Sequence, residues 1–407
     1  MLSTLLNNIV SSFSKAFLIA SFLPVLAFTF VNGTIAYALF DPWRQWCDKH
    51  LLGSAGLGQL VFITGVFAIA LVIMAYLIAS ITNFLRRLME GKWFSWIAYI
   101  FTPAQGRRLS RLDRMIEEAV KVKSGLEASA RFFQGIMSDA AKDETKKLMN
   151  FEGSAELANA IDELKLMRSQ NRLLKPEPLD STLAKFSSCL NAGLPYKKAS
   201  TVRPLFLCRT EIYDLIAFST DQTVLEYERL QNERNSSFGT YLAPTRMGNI
   251  ANSIQAYAER RYHCNLDSVI SNLLWCVDQN AKGNTSMQDA KTQLDFLIIS
   301  SYLSMLWTAI WMVILGALHS SVWFIFVALA GPLASYCWYL AASEQYRAFN
   351  DVLSTSFDIY RFDLLKALHM PIPGDVDEER QIWGELDKLA DIEGGERHNF
   401  RYETARS

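Results

Sequence analysis

Four long apolar stretches interrupt an otherwise polar chain. They cover residues 16–40, 60–85, 296–317 and 322–342, and none of them contains a charged residue. A helix needs about 20 apolar residues to cross the hydrocarbon core of a bilayer. Buried helices of a soluble protein are usually shorter, and surface helices keep a polar face. The pattern therefore predicts a mostly α-helical membrane protein with two pairs of transmembrane helices.

The polar segments divide the rest of the chain. We expect an amphipathic interfacial helix at 1–15, a first transmembrane hairpin at 16–85, a large, mainly helical cytoplasmic domain at 86–295, a second hairpin at 296–342, and a cytoplasmic helix with an acidic tail at 343–407. Helical periodicity dominates the 86–295 segment. The exception is an irregular stretch between Pro195 and Pro204, after which the run at 205–207 allows a small sheet.

An aromatic cluster at 93–101 follows the second apolar stretch and is expected to end at Pro103. Trp and Tyr rings favour the headgroup level of a membrane, which suits this position beside a basic run. Packing against the cytoplasmic domain is an equally good interpretation.

Charges beside the apolar stretches predict the orientation. Nine Lys and Arg residues but only four acidic ones lie at 86–123, whereas the short loop between the first two stretches is mixed. Positive residues stay on the cytoplasmic side. The segment after residue 85 and both termini are therefore expected in the cytoplasm, with the protein in a bacterial inner membrane.

The sequence contains no constellation typical of catalysis or metal binding. The six cysteines lack C-x-x-C spacing, the five histidines lie far apart, and no glycine-rich phosphate loop is present. We expect no metal, no cofactor, no disulfide and no enzymatic activity. Cys47, the one cysteine expected beyond the membrane, is predicted to be a free thiol.

Weakly polar residues within the apolar stretches are candidates for lining a pore. The strongest is Asn32, because an amide deep in a span needs a partner or water. Small polar residues serve equally often as contacts between helices. The pore-lining candidates are Asn32, Thr29, Thr34, Ser300, Ser304 and Thr308.

One polar segment, P-T-R-M-G-N at 244–249, is dense in special residues. Pro-Thr before a helical run indicates a capped helix start, and Gly248 permits close approach of another backbone. A functional interpretation makes the region an anion site. The structural alternative, which we favour, pairs Arg246 with a buried carboxylate such as Asp267 or Asp358. The candidates under either interpretation are Arg246, Asn249, Arg260, Arg261 and Arg361.

Two motifs carry a resemblance. Both resemble motifs of uncharacterised multi-span bacterial membrane proteins. The first is P-T-R-M-G-N, followed by Arg261-Tyr262 and Trp275, and the second is F-D-I-Y-R-F-D-L-L at 357–365, followed by Pro371-Ile372-Pro373. The order of spans is similar, more loosely, to membrane effectors of bacterial anti-phage systems, the pore-forming effector of the Hailong system among them. The second resemblance implies a nucleotide or oligonucleotide ligand.

Three functions fit these features. The first is an oligomeric channel or membrane-perturbing effector controlled by its cytoplasmic domain, in which four copies are favoured because four spans can hardly enclose a pore alone. The second is a membrane-anchored scaffold or sensor that docks a soluble partner, for example one encoded in the same operon. The docking surface would be the basic face at 107–123 or the acidic tail. The third is a membrane-anchored enzyme.

The charge bias yields a direct test of orientation. A reporter fused after Ser407 and one inserted near Gly153 should both report a cytoplasmic location, because positive flanks remain inside. A periplasmic signal from either reporter would overturn the orientation.

Overall fold

The computed structural model describes residues 14–52, 57–93, 95–142, 153–170, 175–192, 203–279, 281–319 and 321–390, which form helices and no strands. The first six helices are α1 (Lys15–Leu39), α2 (Asp41–Cys47), α3 (Leu57–Met89), α4 (Ser95–Lys142), α5 (Ala155–Ser169) and α6 (Pro176–Ala192). The remaining ones are α7 (Leu205–Ser237), α8 (Arg246–Tyr262), α9 (Leu266–Asp278), α10 (Ala281–Ala317), α11 (Ser321–Ala367) and α12 (Val376–Ala390).

Four helices are long and apolar enough to cross a membrane, as the sequence predicts. These spans 1–4 are Lys15–Leu39, Val61–Met89, Thr285–Ala317 and Val322–Ala367. Spans 3 and 4 belong to helices that extend well beyond the apolar stretches, because no Pro or Gly stops them where the sequence turns polar. We call the end of the spans marked by Lys15, Arg86 and Arg87 the basic end. The predicted interfacial helix at 1–15 lies almost wholly outside the described residues.

Span 1 contains a wider, π-helical turn at Leu18–Phe22. Pro24 follows it directly and has no N–H to donate to the carbonyl of residue 20. The lost hydrogen bond favours a local change of helical pitch, and such turns often mark functional sites. The turn packs on α10 and α3.

The chain divides into two compact units. One comprises 107–235 and the other 1–106 with 236–407. The core of the 107–235 unit joins α5 and α6 to parts of α4 and α7 through fully buried residues that include Leu126, Leu157, Phe186 and Ile212. Ser154 caps α5 as expected, since its hydroxyl accepts a hydrogen bond from the Leu157 N–H at 3.0 Å.

One local prediction is wrong. The run at 205–207 begins α7 rather than a strand, because Leu205, Cys208 and Ile212 are buried at helical spacing in the core. A three-residue apolar run is too short to distinguish the two periods. Pro103, which closes the aromatic cluster in the sequence, lies inside α4. Of the aromatic cluster, Trp93 packs edge-on against Phe84, while the side chains at 94–100 lie outside the described part.

The other unit has a second core beyond the basic end, where α8, α9 and α12 pack around the distal half of α11. Phe357, Leu364 and Trp383 are almost fully buried there. Part of the predicted acidic tail forms α12, whose acidic first turn complements the helix dipole. Asp375 caps it by accepting from the Glu378 N–H at 2.8 Å.

Of the four histidines that the structure describes, three adopt left-handed backbone conformations. His263, His319 and His369 have φ values of 57°, 51° and 56°. His263 ends α8, and His369 follows α11 in a Schellman motif, in which the Met370 N–H donates to the Leu365 carbonyl at 2.9 Å. These histidines thus occupy positions where glycine is usual.

Residue 263 offers a test of this backbone strain. The His263→Gly variant should be more stable than His263→Ala by about 1 kcal/mol, because only glycine adopts positive φ without cost. At Gln255, inside the same helix, the order of the Gly and Ala variants should reverse. Thermal unfolding of the four purified variants measures both differences. Equal stability of the two residue 263 variants would contradict the assigned conformation.

Candidate functional site: the junction at the basic end of the spans

The P-T-R-M-G-N segment forms the start of α8 and the loop before it. Thr245 caps the helix, with its hydroxyl accepting from the Gly248 N–H at 3.0 Å, as the sequence predicts. Asn249, almost fully buried, holds the loop: its amide oxygen accepts from the Ala243 N–H at 2.7 Å, and its amide nitrogen donates to the carbonyls of Ala243 and Thr245 at 2.9 Å each. Asn249 is therefore a structural residue of this loop.

Two glycines allow the loop to touch the basic end of span 2. A Cβ atom on Gly248 would lie 2.2 Å from the Glu90 carbonyl oxygen, which is far inside contact distance. Gly91 has φ of +78°, and a Cβ there would lie 2.5 Å from Pro244. The close backbone approach predicted at Gly248 is confirmed, and Gly91 meets it from the other side.

A small core surrounds this contact. Its buried residues come from four helices: Met89 from span 2, Met247 and Ile250 from α8, Leu294 and Ile298 from span 3, and Ala342 and Tyr346 from α11. We call this cluster, with Glu90, Gly91 and Gly248, the junction. It brings α8 against spans 2, 3 and 4 at one point.

Hydrogen bonds cross the junction between helices. The Tyr346 hydroxyl donates to the Glu90 carboxylate at 2.9 Å, and the Asn350 amide donates to the Ile250 carbonyl at 2.6 Å. Outside the buried core, the Tyr302 hydroxyl of span 3 donates to the Leu85 carbonyl of span 2 at 3.0 Å. In hydrocarbon each such group would otherwise lack a partner.

Glu90 is a buried carboxylate with several compensating partners. Besides Tyr346, Lys92 lies 2.8 Å and Arg86 lies 3.9 Å from its oxygens. A buried charge needs such pairing to offset its desolvation. Sequence reasoning counted Glu90 only as one of a few acids in a basic run. The sequence feature that could have singled out Glu90 is its position, because it is an isolated acidic residue among basic ones directly after an apolar stretch.

The predicted partner of Arg246 is wrong. Its guanidinium donates to Glu344, which Arg347 also contacts at 2.6 Å. Asp358 instead accepts from Tyr257 and Tyr262, both at 2.8 Å, and from Arg261 at 3.2 Å. Glu344 could not be predicted, since it lies on a helix 98 residues away in sequence.

The arginines named from the motifs do not all converge on one anion site: Arg246 lies apart, whereas Arg261 and Arg361 both contact Asp358 and the Tyr262 ring. Glu344 and Asp358, the partners of Arg246 and Arg261, lie about 21 Å apart along α11. Arg361 pairs with the buried Glu379 at 2.8 Å, and its guanidinium stacks on the Phe362 ring. The Nε of Arg260 donates to the Ala256 carbonyl within its own helix at 3.0 Å.

The Asp358 cluster joins α8 to α11 through ionisable groups. Burial and the hydrogen bond to Asp358 raise the pKa of the Tyr262 hydroxyl to about 12. The same two causes raise the pKa of Tyr257. Both hydroxyls therefore remain protonated donors at physiological pH, which is what the Asp358 carboxylate requires.

Five of the six candidate pore residues have side-chain hydrogen bonds within the chain. Asn32 accepts from the Trp311 indole N–H of span 3 at 2.7 Å and donates to the Phe28 carbonyl at 2.7 Å. The hydroxyls of Thr29, Thr34, Ser304 and Thr308 donate to carbonyls four residues earlier in their own helices. Ser300 supplies the carbonyl for Ser304. Asn32 therefore has the helix–helix partner that the sequence named as one alternative, and its pore-lining role stays a prediction.

Spans 3 and 4 are held together by small residues. A Cβ on Gly331 would lie 2.0 Å from the Thr308 hydroxyl oxygen, so the two helices touch there. The Ser301 and Ser335 hydroxyls donate to each other's carbonyls at 3.0 Å. Ser300 and Ser304 lie on another face of α10, in an apolar cavity of about 480 Å³ that spans 1, 3 and 4 line. Thr308 is thus a residue of the helix contact.

The described residues contain no group of His, Cys, Asp and Glu side chains that could hold a metal ion. All six cysteines are free thiols, and Cys47 is buried. Burial raises the pKa of Cys264 to about 12, which makes this thiol a poor nucleophile. A scan of protein-family models, a search of curated proteins and a search of solved structures found no match for this chain.

The close contact at Gly248 yields a stability prediction. Gly248→Ala should destabilise the protein by about 1–3 kcal/mol, because the methyl group overlaps the Glu90 carbonyl and the backbone must shift. Gly65→Ala is the matched control within span 2, since nothing lies within 4 Å of a Cβ there. Thermal unfolding in one detergent compares the two. Equal melting temperatures would contradict the contact.

The Asn32–Trp311 hydrogen bond is tested by a double-mutant cycle. Asn32→Leu and Trp311→Phe should show a coupling energy of about 0.5–1.5 kcal/mol, the range for hydrogen bonds between membrane helices. Thr29→Val with Trp311→Phe should show almost none, because Thr29 bonds only within span 1. A zero coupling for Asn32, with reduced conductance of Asn32→Leu, would favour the pore-lining role instead.

Proposed function

We propose that this protein is an oligomeric membrane channel or membrane-perturbing effector, controlled through helices attached at the basic end of its spans. The observation that supports this most is the Gly248–Glu90 contact, where α8 meets span 2 without an intervening side chain. A shift of α8 has to displace the end of span 2, because packed interfaces do not deform continuously.

The architecture around the junction also favours control from outside the membrane. The apolar stretch of span 4, at 322–342, continues without a break into the part of α11 that packs against α8, α9 and α12. Because α11 is one continuous helix, a movement of those helices is transmitted along it to the apolar part of span 4. Hinge and shear motions of this kind are common in switching proteins.

A conducting path in this proposal lies between copies of the chain. Asn32 and Thr308 are already bonded to protein partners, so these two side chains have little need of water within one chain. Large apolar side chains instead cover the outward faces of the spans, for example Phe62 and Val313. Lipid or neighbouring copies can cover them, and we favour four copies.

The biological setting is part of the same proposal. From the charge bias we place the basic end and both termini in the cytoplasm of a bacterium, with the spans in the inner membrane. From the resemblance we expect anti-phage defence, with a nucleotide or oligonucleotide as the ligand. Because the arginines near the P-T-R-M-G-N segment have protein partners, we expect that ligand elsewhere.

A membrane-anchored scaffold is the second candidate. Leu274 and Trp275 are exposed on α9, Trp275 by 59%, and an exposed Trp is a frequent anchor of protein interfaces. The basic face at 107–123 supports docking less strongly, because Glu117 and Glu233 already pair with basic residues of that face. A soluble partner would thus contact α9.

Conductance and mass distinguish these proposals. Purified protein in planar bilayers should conduct, and native mass spectrometry in mild detergent should detect an oligomer, with four copies favoured. Gly248→Ala should alter conductance while Gly65→Ala does not, because only the former disturbs the junction. A monomer without conductance would exclude the channel and favour the scaffold.

A further inference from the structure

A polar cavity of about 440 Å³ lies at the basic end of spans 1, 2 and 3. This volume is within the usual range of small-molecule sites. The π-helical turn of span 1 supplies part of its wall through Ala20 and Ser21. Span 2 contributes Thr82 and Asn83, and span 3 contributes Lys291, Thr292 and Asp295. None of these residues belongs to the junction.

The wall formed by span 3 carries two opposite charges. Lys291 and Asp295 lie one helical turn apart and both line the cavity. In the part of the chain that the structure describes, neither side chain forms a salt bridge with another residue. The sequence placed Asp295 just outside span 3, whereas it lies inside a helix that contacts spans 1 and 2. Such a carboxylate within a span usually marks a functional site.

Hydroxyl oxygens on other walls of the same cavity can accept further hydrogen bonds. Ser21 and Thr82 are buried beside the cavity. Thr82 donates its own proton to the Ile78 carbonyl at 2.9 Å, so its oxygen keeps lone pairs free to accept. Acceptors on several walls and one carboxylate match a group with three N–H donors, which is a primary ammonium.

We propose that this cavity binds the headgroup of a phospholipid with a primary ammonium, of the phosphatidylethanolamine class. Asp295 accepts from the ammonium, and Lys291 contacts the phosphate. The site lies where three spans reach the basic residues Lys15 and Arg86, which is the level of lipid headgroups. The proposal requires that the spans cross a membrane and goes beyond the channel function, which it does not need.

Lipid binding to the delipidated full-length protein tests the proposal by native mass spectrometry. Wild type should bind dioleoyl phosphatidylethanolamine about tenfold more tightly than the choline lipid, whose ammonium has no N–H to donate. Asp295→Asn should remove this preference. Asp289→Asn, an exposed position on the same helix outside the cavity, should keep it.

Two further measurements separate the parts of the site. Lys291→Gln should weaken both lipids equally, because they share the phosphate. Ethanolamine lipids with one, two or three N-methyl groups should bind wild type progressively less tightly, because each methyl group replaces one N–H donor. This series uses only the wild-type protein, so it does not depend on the folding of a variant. Equal binding of the ethanolamine and choline lipids to wild type would overturn the proposal. Tightest binding of phosphatidylglycerol would also overturn it, in favour of a site that recognises phosphate alone.

Discussion

The arrangement of the unit that holds the spans depends on one steric constraint, the contact between the backbone of α8 and the end of span 2. The Glu90 carbonyl occupies the space where any residue other than glycine at position 248 would carry its Cβ. Position 91 also requires glycine, because a Cβ there would overlap the Pro244 side chain. Because no side chain separates the two segments, their relative position has little freedom, and the hydrogen bonds of Tyr346 and Asn350 form around a preset geometry.

Long helices extend the effect of that contact. α10 and α11 pack along much of their length, with Gly331 and Thr308 at a point of closest approach. The polar network of Tyr257, Tyr262 and Asp358 joins α8 to α11 again, about two helical turns beyond the Asn350–Ile250 hydrogen bond. Two attachments on the same pair of helices resist rotation as well as sliding. This rigidity is what a control element attached to membrane spans requires.

Much of the fold was predictable because its signals are local. Charge-free stretches reveal the spans, and Ser154 and Thr245 precede helical runs that they cap. Gly248 could be predicted to permit close approach, but not which backbone would approach. The partner of Arg246, the Tyr346–Glu90 hydrogen bond and the Asn32–Trp311 pair each join residues 98 or more positions apart. No local pattern encodes such pairs. The strand expected at 205–207 was wrong for a different reason: a three-residue apolar run is too short to distinguish strand periodicity from helix periodicity.

Hydrogen exchange across the junction tests most directly whether α8 and span 2 move as one. Asn350→Leu removes the hydrogen bond that holds the Ile250 carbonyl, which belongs to α8 and not to span 2. Mass spectrometry of the exchanged wild type and variant should reveal faster amide exchange at 246–255 and, to a similar degree, at 84–91, because cooperative units open together. Faster exchange confined to 246–255, with unchanged protection at 84–91, would contradict coupling through the junction.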